Sequence, residues 1–260
     1  MKLLKWLLLA NICFNHFCVK AQNKVITVNV TDKNSVSKKI WIYLPQNYYT
    51  SQKKFPVIYM HDGQNIFDEK TSYSGEWNID ETLDSINAQT IVVAIAHGNE
   101  KRINELTPFA NEKYGGGNAN EYLHFLINTI KPYIDKNYRT KKTKKHTTIA
   151  GSSLGGLTSF YAALKFPKIF GKAIVFSPSF WYSNKIYDFA KNKEKIKGKI
   201  YFLCGNKESE DMEKDMLKMI EICKPKMKTK NINYKVVNQG EHNEKLWRNE
   251  FKNAYLWINK

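Results

Sequence analysis

Residues 151–156 read Gly-Ser-Ser-Leu-Gly-Gly, which satisfies G-x-S-x-G with Ser153 at its centre. The pattern acquires chemical meaning when it follows a strand and opens a helix, because the serine is then lifted on a sharp, strained turn and exposed at the end of the sheet. Here it follows the apolar run Thr147 to Ala150 and precedes a helical pattern from Leu154 to Phe166. Glycine is required at 151 and 155, where a side chain would strike the adjoining strand or helix. The Leu154 N–H and the positive end of the helix would face the same point, ready to stabilise an oxyanion. A phosphate-binding loop is the competing reading of such a turn, but it calls for lysine after the last glycine, and Leu157 stands there.

A serine hydroxyl attacks a carbonyl only when a base removes its proton. On a strand-turn-helix elbow the partners follow in the order serine, acid, histidine. Five of the six histidines (His16, His61, His97, His124 and His146) precede Ser153, so His242, in Gly240-Glu241-His242-Asn243, is the candidate base. The acid is expected after the strand Ile200 to Leu203. The segment 205–211 offers Glu208, Glu210 and Asp211; Glu208, nearest the strand end, is the first choice, while the other two also suit the opening turn of a helix from Met212. A second oxyanion donor is expected from the loop after the third strand, His61-Asp62-Gly63-Gln64-Asn65, through the Gln64 amide. With no H-E-x-x-H and no paired CxxC, neither a metal nor a cofactor is expected. His61 and Asp62 read as groups that stabilise the turn, and His97 as a loop histidine.

The elements that must carry these residues follow from hydrophobic periodicity. Eight β-branched, apolar runs are predicted as strands: Val25 to Thr31, Ile40 to Leu44, Val57 to Met60, Ile91 to Ala96, Thr147 to Ala150, Ala173 to Phe176, Ile200 to Leu203 and Tyr234 to Val237. After the third, helical patterns intervene at 79–86, 120–134, 154–166, 184–193, 212–223 and 244–258. Nearly all-apolar strands separated by helices indicate a mostly parallel sheet covered on both faces, with an antiparallel N-terminal edge where two strands follow without a helix. No repeat or linker divides residues 22–260, so one domain is expected.

The chain has 260 residues, 41 basic against 24 acidic, for a net charge of +17. Only Arg102, Arg139 and Arg248 are arginine. Nucleic-acid readers rely on the arginine fork, so the lysine excess reads as mainly a solvated coat, and no nucleic-acid partner is expected. Lys2 and Lys5, an apolar run from Trp6 and a small residue at Ala21 form a secretory signal pattern over residues 1–21, too short and interrupted to span a bilayer. Export to the periplasm or exterior, without stable membrane insertion after cleavage, is the expectation. Cys13 and Cys18 would leave with the signal; Cys204 and Cys223 are expected as two buried thiols.

Together these residues resemble the esterase branch of the α/β-hydrolases that includes esterase D-like enzymes, enterochelin esterases, feruloyl esterases and mycolyltransferases. The resemblance spans nearly the whole mature chain and is carried by Tyr59 to Asn65, Trp77 to Glu81, Gly98-Asn99 with Arg102 to Pro108, Gly115 to Gly117, Ile149 to Gly156, Cys204 to Glu208 and Gly240 to Trp247. It implies an α/β-hydrolase fold, a three-layer sandwich around an eight-stranded sheet. It implies Ser153 as nucleophile, His242 as base, Glu208 as acid and the Gln64 and Leu154 amides as oxyanion hole, with Trp77 and Arg102 lining the substrate cleft. The activity implied is cofactor-free hydrolysis of a carboxylic ester through an acyl-enzyme. The substrate would be a siderophore lactone or a carbohydrate acyl or feruloyl ester, and positive charge would suit an anionic one. Acyl transfer on the same residues, or a non-catalytic glycan- or siderophore-binding protein, are the alternatives.

Overall fold

The computed structural model describes residues 25–260, so the signal pattern at 1–21, with Cys13 and Cys18, lies outside the described residues. Strands β1 (Val25–Thr31), β2 (Ser37–Tyr43), β3 (Val57–Met60), β4 (Ile91–Ile95), β5 (Thr147–Ser152), β6 (Lys172–Phe176), β7 (Lys199–Gly205) and β8 (Ile232–Val237) form one sheet in the order β1-β2-β4-β3-β5-β6-β7-β8. Only β2 runs against the others: it pairs antiparallel with β1 and with β4, and every later pair is parallel. The antiparallel edge is therefore a single inverted strand, and β1 points the same way as β3 to β8. β2 begins before its apolar run because its pairing with β1 continues down the hairpin to Thr31 and Ser37.

Alternation along the strands sorts the core into two layers. Val57, Tyr59, Val93, Ile149, Val175 and Phe202 share one cluster with Leu123, Ile134, Phe160, Ile186 and Met216. These come from helices α3 (Ala119–Phe125), α4 (Lys131–Asn137), α5 (Leu154–Lys165), α6 (Lys185–Lys191) and α7 (Met212–Cys223). Ile58, Met60, Val92, Ile174 and Leu203 face the other way, against Ile79 and Leu83 of α1 (Ile79–Ser85) and Leu246 and Phe251 of α8 (Glu244–Asn259). The expected helix at 120–134 is longer and irregular. Pro132 cannot donate to the carbonyl of Asn128, and the preceding segment Leu126–Ile130 widens into a π-helix between α3 and α4. The single turn α2 (Arg102–Glu105) had no periodic signal. Cys204 and Cys223 are free, buried thiols, which burial holds at about 12.

The chain leaves β3 toward β4 on one side and β5 toward β6 on the other. Between the carboxyl ends of the neighbours β3 and β5 the connections diverge and leave a crevice. Helix α5 fits beneath it because Gly156 has no side chain: a Cβ there would lie 2.5 Å from the Phe176 carbonyl oxygen of β6. His61, the residue after β3, is buried at the crevice floor, with Nδ1 2.7 Å from the Tyr122 hydroxyl and Nε2 without a partner among the described residues. Burial pushes its imidazole down to about 4, although the Asp62 carboxylate pulls the other way.

Two outcomes follow. Gly156→Ala should lower the unfolding free energy by about 2 kcal/mol or more, read by urea denaturation, because helix and strand must separate to admit the methyl group. His61 stays neutral in the folded chain while an unfolded histidine titrates near 6.5, so its contribution is complete above that pH and is lost as pH falls toward 4. The loss amounts to about 3 kcal/mol. His61→Gln should flatten the stability profile by one proton over that interval; an unchanged slope would refute the assignment.

Candidate active site

Ser153 sits between β5 and α5 with φ 56° and ψ −124°, a region that costs a non-glycine residue about 1–3 kcal/mol. Three hydrogen bonds hold it there: its N–H donates to Phe176 O (3.0 Å), and its carbonyl accepts from Leu157 N (3.0 Å) and Ser179 N (3.2 Å). Its hydroxyl lies 3.3 Å from that of Ser179, which is itself buried. Leu154 follows as the first residue of α5, whose opening N–H groups have no partner within the helix.

Glu208, three residues beyond β7, has a fully buried side chain. One carboxylate oxygen accepts from the Ser177 hydroxyl (2.7 Å) and the Gly205 N–H (2.5 Å), and the other lies 2.7 Å from His242 Nδ1. The Trp247 indole N–H in turn donates to Ser177 Oγ at 2.8 Å, and its ring meets the His242 ring edge-on at 5.1 Å. The imidazole is thus held at Nδ1 and packed against the indole, with its far nitrogen directed away from Glu208. Glu210 and Asp211 are exposed, Asp211 standing 3.8 Å from Lys214.

The structure brings His242 and Glu208 into contact but shows no direct hydrogen bond between His242 and Ser153. What joins the two halves is the loop after β6, where Ser177 contacts Glu208 and Ser179, two residues on, contacts Ser153. Neither serine carried a motif. Their only signal was position, at the end of the strand between β5 and β7.

On the other side, Asp62 adopts the left-handed conformation (φ 54°, ψ 48°) and starts the turn Gly63–Asn65. Gly63 is mandatory because a Cβ would lie 2.8 Å from the backbone of β4. The Gln64 side chain clamps the main chain of His97, donating to its carbonyl (3.3 Å) and accepting from its N–H (3.2 Å), so the turn is fixed against the end of β4. Asn65 donates to Glu244 (3.2 Å), two residues beyond His242, and this ties the turn to the histidine loop. Burial raises the Glu244 carboxyl above its ordinary range.

Two expectations change. Trp77 does not line a cleft: it is 2% exposed, stacked on Phe176 at 5.6 Å and packed against Trp247 and Phe251, so it supports the site from the core. Arg102 is committed to Asp62 through two bonds of 2.7 and 2.9 Å, while Glu105 pairs with Lys38. Arg102 braces the turn before Gln64, since the Asp62 carboxylate in turn abuts Gly155 of the elbow. The exposed apolar surface that follows the 177–179 loop comes from residues the sequence did not single out. Trp181 (51% exposed), two residues after Ser179, packs edge-to-face with Tyr114 (45% exposed) at 6.0 Å. Among the described residues no His/Cys/Asp/Glu group is arranged to hold a metal ion, and no helix is long and apolar enough to cross a membrane.

Comparison with known proteins agrees with this architecture. The family model described as "Putative esterase" matches residues 35–258. The Bacillus subtilis protein YbbA is 25% identical over 248 residues, covering 88% of this chain and 96% of that one. The endo-1,4-beta-xylanase/feruloyl esterase of Xylanibacter ruminicola is 27% identical over 178 residues, 65% of this chain and 22% of that protein. Among solved structures, the siderophore hydrolase EstB of Aspergillus nidulans superposes with a TM-score of 0.69 at 20% identity, over 91% of this chain and 96% of that one, and so shares the fold. An eight-stranded α/β-hydrolase sheet, with a match along nearly all the described residues, makes this chain a member of the Esterase family and a carboxylic ester hydrolase.

Proposed function

We propose that the chain hydrolyses its ester by a Ser153–His242–Glu208 triad. The observation that carries this reading is the Ser177-Pro178-Ser179 loop, which touches the buried acid with one hydroxyl and the strained nucleophile with the other. In the resting arrangement the Ser153 hydroxyl leans on Ser179. Rotation of its side chain toward His242 would pass the proton to Nε2 while Glu208 holds Nδ1 and stabilises the imidazolium. The tetrahedral oxyanion would be met by the amides of Leu154 and Gln64, with α5 contributing its positive end. His242 would then protonate the leaving alcohol, and water, activated by the same histidine, would release the acid from the acyl-serine.

For the substrate, the exposed Trp181–Tyr114 pair favours an ester with a flat aromatic or sugar face. The likeness to a xylanase/feruloyl esterase supports an aromatic acyl ester of a carbohydrate, and the fold shared with a siderophore hydrolase extends the candidates to aryl-bearing lactones. We further propose that residues 1–21 direct export and are removed; N-terminal sequencing of the protein recovered outside the cytoplasm, beginning at Gln22, is the test.

Ser153→Ala should reduce kcat on p-nitrophenyl acetate by about 10⁶ and abolish labelling by a fluorophosphonate. Retained turnover or labelling would end the triad reading. Glu208→Ala should cost roughly 10³ in kcat, while Glu210→Ala and Asp211→Ala stay within about twofold. Ser177→Ala, which leaves both the acid and the Trp247 indole short of a partner, should cost about tenfold in kcat with little change in KM, and Ser177→Thr should recover part of it.

A further inference from the structure

The lysine excess is not spread evenly. Four segments, 138–146, 166–172, 191–199 and 224–231, hold sixteen lysines and arginines and a single carboxylate, Glu194. The rest of the chain carries 25 basic and 23 acidic residues, close to balance. Those four segments lead into β5, β6, β7 and β8, which are consecutive neighbours in the sheet. They therefore lie side by side at the amino ends of the parallel strands. β5 alone, six residues long, separates that edge from Ser153 by about 20 Å.

The segments are bonded into one surface. Gly171 N donates to Lys144 O (3.0 Å), Lys199 N to Gly171 O (2.9 Å) and Ile196 N to Lys226 O (3.0 Å). The Lys226 ammonium caps the carbonyls of Lys191 and Lys193. Gly198, at φ +97°, allows the approach, since a Cβ there would lie 2.4 Å from Gly171 O. The cations are close enough to affect one another: burial lowers Lys172 to about 8, and Lys199 and Lys145 push it the same way. The lysines at the ends of α5 and α6 also complement the helix dipoles, but the strand-entry loops hold many more than the helix ends require.

Within this face is a hollow of about 270 Å³ with walls of Lys165, Lys193, Lys195 and Lys197 and an apolar floor that includes Leu164 and Ile196. Among the described residues none of the four segments has an exposed large apolar side chain that could enter lipid. We propose that this face binds an acidic polysaccharide, one carboxylate-bearing sugar ring seating its apolar face in the hollow while neighbouring anionic groups meet the surrounding lysines. Lysine suits this use, as it reads charge density without demanding bidentate geometry. The crevice at the carboxyl ends stays open, so the enzyme would be retained on a polymer while it acts.

The test is binding of the full chain to polygalacturonate, to its fully methyl-esterified form, to monomeric galacturonate and to vesicles of phosphatidylglycerol. Tight binding to polygalacturonate alone is expected, weakening about tenfold or more between 50 and 200 mM salt. Replacing Lys165, Lys193, Lys195 and Lys197 by Gln should weaken it at least ~tenfold, with p-nitrophenyl acetate turnover unchanged. Replacing Lys33, Lys70, Lys101 and Lys113, an equal loss of charge at the other end, should change it less than about twofold. Equal loss from both quadruple variants, equal binding of the methyl-esterified polymer, monomer binding as tight as polymer, or vesicle binding as tight as polymer would overturn the proposal. Because binding is read apart from turnover, its failure is distinct from failure of the triad.

Discussion

The positive φ of Ser153 is the constraint on which the rest of the active end depends. A non-glycine residue stays in that conformation only when its surroundings over-determine it. Here the strand before it, the helix after it and the β6 carbonyl beside it all have to be in register. That register rests on close packing: α5 lies so near β6 that a methyl group at Gly156 has no room, and all of α5 except its last residue is buried. The strain is thus borne by a large, dry helix–sheet interface rather than by local hydrogen bonds alone. Loss of that interface would let the elbow relax and lower the hydroxyl into the loop.

A second constraint is the burial of the Glu208 carboxylate. A buried carboxylate is tolerated only when its oxygens are satisfied, and Glu208 achieves this with a backbone amide, a serine hydroxyl and an imidazole. The serine is held by an indole that also packs against the imidazole and against Trp77. Packing and polarity are therefore one arrangement here, since the aromatic cluster under the sheet orients the same groups that satisfy Glu208. Trp77 belongs to that cluster, so its contribution to the site is made from below.

How much of this was legible follows from what each feature needs. The inner strands β3 to β7 could be read because nearly fully buried parallel strands are continuous apolar runs, and the elbow could be read because one short pattern encodes both its turn and its glycines. The bond from Glu208 to His242 needed three dimensions: proximity to the strand end favoured Glu208 over Glu210 and Asp211, but only its place beside Ser177 and Gly205 separates them. Ser177 and Ser179 carried no local signal because their use comes from the adjacency of β5, β6 and β7. Tryptophan at position 77 looked like a ligand platform because type and motif do not say which layer a side chain faces. Arg102 looked available because its partner, Asp62, is 40 positions away.

The placement of the charge, too, is set by three-dimensional adjacency, and it bears on the chemistry. A lysine excess summed over the chain suggests a diffuse coat, but sheet order gathers four distant segments at one edge and leaves the rest of the chain close to balanced. Exposed charges are screened over about 8 Å at physiological ionic strength, while the two edges lie about 20 Å apart along β5. The lysines therefore contribute little to the electrostatics around Ser153 and His242, and positive charge is no argument for an anionic group at the scissile bond. The exposed side chains that follow the 177–179 loop and face it are instead aromatic, Trp181 and Tyr114. The two ends of the same strands are thus electrically independent, and a change of charge at one leaves the other unaltered.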